Sequence, residues 1–160
     1  MLDYLDVQAE ESKSSMRSKY ADCSKRLLLS SEYTNAWSSI SFPDGAAILL
    51  EYANLGIRPQ AILNKDLILI GAGQYVHGVD AKTMELRFTY KVPFVFYEFI
   101  EFDDDKIIIV DELGFVSLEK DGREAWIQLL DNPLGPYTIA GKSITGATIE
   151  GDRFEFTGPV

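Results

Sequence analysis

The feature that most constrains the fold of this chain is an internal repeat. The pattern of residues 66–88 recurs over residues 105–127 at an offset of 39, which drifts to 40 only around residues 75–77. Each copy contains a polar turn, two apolar segments and a third segment that follows another turn. With residues 61–63 and 100–102, which precede the turns, each unit is predicted to form four short strands. Repetition at this period is typical of modular, sheet-rich proteins.

The repeated residues resemble a known family. Residues 79–88 and 114–126 resemble the repeat of pyrroloquinoline-quinone-type β-propellers, in which an apolar strand, an Asp-containing turn with Gly and a strand ending in Trp recur. Met84 stands where that repeat has Gly, and Phe88 stands for Trp. The resemblance covers about residues 60–128 and implies blade-like sheets. No cofactor ligand of the quinone enzymes can be carried over to this chain.

Length limits what such units can build. A propeller closes with at least about four blades of about forty residues each, and this chain has room for three at most after its different N-terminal segment. We therefore expect a mainly β fold, an open antiparallel meander or sandwich of blade-like four-stranded units with an N-terminal amphipathic helix. The predicted single domain, 1–160, comprises a helical segment at 1–30, a hairpin region at 33–58, blade-like units at 59–93 and 94–130, and a partial unit at 137–158.

Two further segments, residues 1–30 and 46–55, carry apolar patterns that predict secondary structure. Apolar residues at steps of three, four or seven predict that residues 1–30 form a helix that covers a sheet. These residues are Leu2, Leu5, Ala9, Met16, Tyr20, Cys23 and Leu27. Residues 46–55 fit either a strand or a short helix that ends before Gly56, and we prefer the strand.

The distribution of charge along the chain indicates the kind of partner that it binds. The net charge is −10; residues 1–64 hold 8 acids and 6 bases, whereas residues 65–160 hold 17 acids and 9 bases. Residues 98–112 contain seven acids and one base, Lys106. This concentration disfavours binding to nucleic acid or anionic lipid and favours a basic protein surface. The predicted partner-binding residues are Glu98, Glu101, Asp103, Asp104, Asp105, Asp111 and Glu112. As an alternative, the three consecutive Asp residues serve only as solvated turn formers.

No residue pattern indicates catalysis. His77 is the only histidine and Cys23 the only cysteine, and strand alternation places His77 and Asp80 on different faces. The Gly71-Ala72-Gly73 segment lacks the third Gly and the following helix of a dinucleotide fingerprint, so it is predicted to be a turn or bulge. The acidic turn lacks the ligand spacing of a calcium loop. We therefore predict no enzyme activity, no cofactor and no metal site.

These observations favour a binding protein. Size, acidity and the lack of catalytic motifs predict an immunity protein that neutralises a basic toxin domain, expected to be a nuclease, by direct binding. The alternative is a scaffold or regulatory interaction module of propeller-like repeats. The aromatic segment 94–102 fits a core strand, or an aromatic surface completed by the partner. A single cysteine, an acidic N-terminus and the lack of a long apolar stretch predict a cytoplasmic protein without membrane contact.

Overall fold

The computed structural model describes residues 1–103 and 106–160, and the described chain is mainly β. Among these residues, no helix is long and apolar enough to cross a membrane. The first half of the chain contains β1 Asp3–Leu5, β2 Gln8–Glu10, α1 Lys13–Lys19, β3 Arg26–Ser30, β4 Ala36–Ser41, β5 Ala47–Tyr52, β6 Gln60–Asn64, β7 Leu67–Ala72 and β8 Tyr75–Asp80. The second half contains β9 Leu86–Lys91, β10 Phe96–Phe102, β11 Lys106–Asp111, β12 Gly114–Leu118, β13 Glu124–Leu129, β14 Leu134–Ala140, β15 Ser143–Thr148 and β16 Arg153–Thr157.

The strands form four sheets, numbered here by their order in the stack. Sheet I has the strand order β2-β4-β5-β3, sheet II β1-β6-β7-β8-β9, sheet III β10-β11-β12-β13 and sheet IV β14-β15-β16. All paired neighbours are antiparallel except β3 and β5. The two copies of the repeat correspond to β7–β9 and β11–β13. The predicted fold of open, blade-like antiparallel meanders is therefore confirmed.

The sheets stack face to face in the order I, II, III, IV. Ile48 of sheet I and Ile70 of sheet II belong to one buried cluster, and a second cluster joins sheets II and III. A third cluster joins Phe115 of sheet III to Ile144 of sheet IV. In the described part of the chain, sheets I and IV share no such cluster, so the stack is open. The inner sheets bury both faces, which explains the continuous apolar runs of β7 and β11.

Helix α1 closes the sheet I end of the stack. It begins at the N-cap Ser12, whose side chain and that of Ser15 form a capping box. Met16 is fully buried against Ala47 and Leu49 of β5. Packing of this one apolar residue orients a helix that would be too short to form alone.

A buried carboxylate fixes the same helix by charge. Glu51 is 3% exposed and lies on the α1 side of sheet I. Its Oε1 is 3.2 Å from Lys13 Nζ and 3.7 Å from Arg17 Nη2, and Ser30 Oγ donates to Oε2 at 3.1 Å. Removing either cation would leave buried negative charge with less compensation, so these contacts hold α1 on the sheet.

The prediction of one helix over residues 1–30 is wrong outside Lys13–Lys19. Residues 3–10 are extended: β1 pairs with β6 of sheet II, and β2 pairs with β4 of sheet I. We call residues 3–10 the N-terminal strap, because they join the edges of two sheets. Strand pairing satisfies the backbone groups on the edges of β6 and β4, which a helix in this segment would leave unpaired.

Residues 46–55 contain a strand, as preferred. All six residues of β5 are buried, and β4 and β3 flank it on both sides. A central strand that is covered by sheet II on one face and by α1 on the other requires apolar side chains on both faces. This double burial, rather than helical periodicity, explains the run from Ala47 to Leu50.

Candidate partner-binding surface

The acids predicted to bind a partner are divided among different environments. Glu98 faces sheet IV, where Tyr137 Oη donates a hydrogen bond to Glu98 Oε1 at 2.6 Å. Burial raises the pKa of the Tyr137 hydroxyl, and the Glu98 carboxylate raises it further. Glu101 lies on the other face of β10, and its carboxylate pairs with the amino group of Met1. Both acids are half-buried and already have partners within the chain.

Asp111 is fully buried and organises a turn. Its Oδ1 accepts the amide of Leu113 at 2.7 Å, and its Oδ2 accepts the amide of Phe94 at 2.9 Å. Burial raises the pKa of this carboxyl, and the amide hydrogen bonds oppose that rise. The structure thus gives Asp111 a role in joining the β11–β12 hairpin to the segment before β10.

The remaining acids lie at two ends of one strand. Asp103 is exposed beside the turn that precedes β11, and Glu112 follows β11. Six residues of strand place them about 20 Å apart. Asp104 and Asp105 lie outside the described residues. The sequence cluster therefore does not form one surface, and its role in partner binding stays a prediction.

Four loops meet at the Glu112 end of sheets III and IV. These loops, residues 92–95, 111–114, 129–134 and 148–152, are called the acidic rim. Backbone hydrogen bonds join them in series: Glu112 N donates to Val95 O at 2.9 Å, and Leu134 N donates to Glu112 O at 2.7 Å. Ile149 N then donates to Pro133 O at 2.8 Å. The rim is thus one connected surface that four separate parts of the chain build.

The acidic rim combines negative charge with exposed apolar groups. None of its residues is Lys or Arg. Its solvent-accessible charged residues are Glu112, Asp131, Glu150 and Asp152, whereas Asp111 is buried. Three large apolar side chains of the rim remain exposed: Phe94 at 48%, Leu129 at 54% and Ile149 at 64%. Acids beside exposed apolar groups are typical of a surface that docks a basic partner.

A cleft of about 240 Å³ opens in this rim between sheets III and IV. Leu129, Leu130 and Phe154 supply apolar walls, and Asp131 and Asp152 supply carboxylates. The cleft is also lined by Arg153. Apolar walls beside carboxylates suit the aliphatic stem and charged head of a partner's Lys or Arg.

Sequence reasoning found only part of the rim. Asp111 and Glu112 were selected because they lie in an acid-rich window, whereas Asp131, Glu150 and Asp152 are spread along the chain. The available signal is weaker: every second turn after β11 carries acids and no base. That signal becomes a surface only when the sheets stack.

His77 and Asp80 do not form a catalytic pair. His77 is 2% exposed, and its Nδ1 is 2.9 Å from Thr89 Oγ1. Burial lowers the pKa of His77 to about 4, so the ring is neutral near pH 7. The Asp80 carboxylate accepts the amides of Lys82 and Thr83 and pairs with Arg87. The Thr83 amide, followed by the Arg87 guanidinium, lowers the pKa of Asp80.

Comparisons add no family assignment. No protein-family description matches the chain, and no curated protein is similar to it. Within residues 1–103 and 106–160, no three His, Cys, Asp or Glu side chains come together as a potential metal-ligand set. The surface of the chain is therefore the basis for inferring its function.

Proposed function

We propose that this chain is an acidic cytoplasmic binding protein, and specifically an immunity protein that neutralises a basic toxin domain by direct binding. The toxin domain would be a nuclease, because a nuclease needs a basic surface to hold its substrate. The chain acts by covering that surface rather than by catalysis. The acidic rim is the observation that carries this proposal.

The electrostatics of the chain favour such a role. A net charge of −10 attracts a basic protein over distances near the Debye length, about 8–10 Å at physiological salt, and speeds encounter. Once the proteins touch, Phe94, Leu129 and Ile149 supply apolar area that long-range charge does not. Steering sets the association rate, whereas contacts at the rim set the dissociation rate.

The first experiment identifies the partner. The tagged chain is used to capture proteins from its native cell at low and moderate salt, and retained proteins are identified by mass spectrometry. We expect a stoichiometric basic protein whose nuclease activity falls when the chain is added. Retention of only further copies of the chain, regardless of salt, would instead favour the scaffold or regulatory module.

A matched pair of variants then tests the rim. The rim variant carries Glu112→Gln, Asp131→Asn and Glu150→Gln; no side-chain hydrogen bond or ion pair within the described chain is lost. The turn variant carries Asp103→Asn, Asp104→Asn and Asp105→Asn and removes the same amount of charge. Both should slow association with the captured toxin, because both weaken steering. Only the rim variant should also speed dissociation, by about tenfold, since each contact between exposed charges contributes up to about 1 kcal/mol.

Surface plasmon resonance separates these rates. Equal dissociation rates for the two variants would place the interface away from the rim. If only the turn variant dissociates faster, the interface lies at Asp103, Asp104 and Asp105 instead. Circular dichroism of both variants serves as the control for folding.

A further inference from the structure

Helix α1 is a basic segment of an acidic chain. Its residues include three bases, Lys13, Arg17 and Lys19, and no acid. These are half of the six bases in residues 1–64. The helix therefore presents to sheet I the same kind of charge that we expect on a basic partner protein.

The face of sheet I beneath α1 carries two carboxylates on either side of an indole. Glu10 pairs in register with Trp37, and Trp37 pairs with Glu51, so the three side chains lie in one row across β2, β4 and β5. Both carboxylates pair with cations of α1, at N-to-O distances of 3.1–3.7 Å. Leu49 lies beside this row and packs against the helix. We call Glu10, Trp37, Leu49 and Glu51 the α1 seat.

Two polar atoms of the seat make no hydrogen bond within the described part of the chain. They are Trp37 Nε1, a donor, and Glu51 Oε1, an acceptor, and both atoms are buried. The ion pair with Lys13 compensates the charge of Glu51 but gives its Oε1 no hydrogen bond. A buried donor and a buried acceptor without partners cost free energy, so α1 does not fully satisfy the seat that it covers.

Few contacts hold α1 in place. Met16 is the buried residue of the helix, whereas its three cationic side chains are about half exposed. Ion pairs of such exposed cations are weak and are screened by salt. A helix of seven residues is also too short to be stable by itself. Local opening of α1 therefore costs less free energy than unfolding of the sheets.

The chain on either side of α1 is fixed, so the helix opens as a flap. On one side, β2 pairs with β4 of sheet I. On the other side, Tyr20 Oη is 2.9 Å from Ser39 Oγ and 2.9 Å from Ser41 Oγ. Residues 11–19 are thus able to leave the seat while the strap and sheet I stay paired.

From these contacts we propose that α1 is a displaceable cover, and that the α1 seat binds a basic amphipathic helix of a partner protein in its place. The spacing of Lys13, Met16 and Arg17 defines that helix: two cations four residues apart, with an apolar residue on the same face. The incoming cations compensate Glu51, and a polar side chain beside them satisfies Trp37 Nε1. The proposal rests on the proposed function only for the source of the helix, a basic toxin domain. It adds a contact surface on sheet I, whereas the acidic rim lies at the ends of sheets III and IV.

An alanine-rich helical peptide of about 15 residues, long enough to form a helix in water, is the probe. It carries Lys, Met and Arg at the spacing that α1 uses, and the control peptide has Gln in place of Lys and Arg. Each peptide is titrated into the full, isotope-labelled chain, and NMR follows the indole N–H of Trp37 and the amide of Glu51. We expect the basic peptide to shift both signals and the Gln peptide to bind at least tenfold more weakly. Equal binding of the two peptides, or shifts confined to the acidic rim, would overturn the proposal.

A matched pair of variants tests whether α1 competes with the peptide. Lys13→Gln with Arg17→Gln opens the cover, because it removes the ion pairs to Glu51. This opened variant should bind the basic peptide at least tenfold more tightly than the wild type, in which α1 occupies the seat at a high effective concentration. Lys82→Gln with Lys142→Gln removes the same charge from exposed positions outside sheet I and should bind as the wild type does. Equal affinities of all three proteins, or no binding to the opened variant, would refute the displaceable cover.

Hydrogen exchange tests the cover in the wild-type chain and does not depend on whether the opened variant folds. The amide of Met16 donates to Ser12 O, and the amide of Tyr20 donates to Met16 O. Both amides should exchange at least threefold faster in about 0.5 M salt than in about 0.05 M salt, because salt screens the ion pairs of α1. The amides of β5 serve as the control and should not change. Exchange of α1 that is independent of salt would contradict a cover held by charge, and because neither a toxin nor the acidic rim is involved, that failure would leave the rim proposal in place.

Discussion

Asp111 and Glu112 are neighbours in sequence, yet their side chains have different surroundings. Asp111 is fully buried and bonded to two backbone amides, whereas Glu112 lies on the acidic rim. Glu98 and Glu101 also have different surroundings, because their spacing of three residues along the strand places them on opposite faces of β10. At the residue scale, the acid count in a sequence window therefore says little about which carboxylates share a surface.

Met84 is a second residue whose role the sequence only suggested. It has a φ of +59°, in the left-handed region, and Gly122 has a φ of +88° in the corresponding turn of the second repeat. Met84 occupies the place that glycine takes in the propeller-type repeat. Its side chain is buried between sheets I and II, and this burial offsets the backbone strain. The relationship to propellers itself stays a prediction.

The buried His77 predicts how the stability of the fold depends on pH. Its pKa is lowered from 6.5 to about 4 because burial disfavours the charged ring. Between these values the unfolded chain binds the proton and the folded chain does not. The stability that comes from the neutral ring is therefore fully present above pH 6.5 and is lost as pH falls to about 4, to a total of about 3 kcal/mol.

The variant His77→Gln isolates this effect, because glutamine can hydrogen-bond to Thr89 but does not titrate. Urea unfolding of both proteins at pH 7.5, 5.5 and 4.5 gives their free energies of unfolding. Between pH 7.5 and 4.5, the free energy of unfolding should fall more for the wild type than for the variant. The other titrating groups are the same in both proteins, so their effects cancel in this comparison. If the two proteins differ in free energy of unfolding by the same amount at all three pH values, the His77 ring is not buried in its neutral form.

At the scale of elements, β10 shows how a strand can be apolar on both faces. A bulge between Phe96 and Glu98 puts Phe96 and Phe99 toward sheet II, while Phe102 points toward sheet IV. All three rings are almost fully buried. The core interpretation of the aromatic segment is therefore supported for residues 96–102, whereas Phe94 before it is exposed.

Two Phe→Ala variants separate core from surface. Phe99→Ala should lower the free energy of unfolding by about 3–5 kcal/mol, because it opens a cavity between sheets II and III. Phe94→Ala is the matched control and should change stability by less than about 0.5 kcal/mol. Denaturant unfolding measures both effects. A near-zero change for Phe99→Ala would be incompatible with this packing.

The strands were more predictable than the N-terminal segment. The repeat, the turns with Gly or Asp, and the apolar runs indicate β6–β13 from sequence. The helical spacing at residues 1–30 was misleading, because residues that contact two sheets through extended backbone can also fall at steps of three and four. Only the edge partners of β1 and β2 distinguish these cases.

At the scale of the whole molecule, the strap is what joins sheets I and II along their edges. Deleting residues 1–10 should lower stability and also expose the edges of β6 and β4. We therefore expect concentration-dependent self-association, measured by light scattering, together with a lower melting temperature. A chain without the strap that stays monomeric and fully stable would contradict this role. A Tyr4→Ala variant, which keeps the backbone pairing, is the control.

The sequence by itself determined the repeat, the mainly β class, the acidity and the open arrangement, because these follow from hydrophobic pattern, turn chemistry and length. It also favoured the core for Phe99 and Phe102 over a partner-completed aromatic surface, through their apolar character. Only the tertiary structure decided which acids face solvent and how four loops form the acidic rim. These features depend on strand register and on how the sheets stack, and both bring together residues that are far apart in the chain.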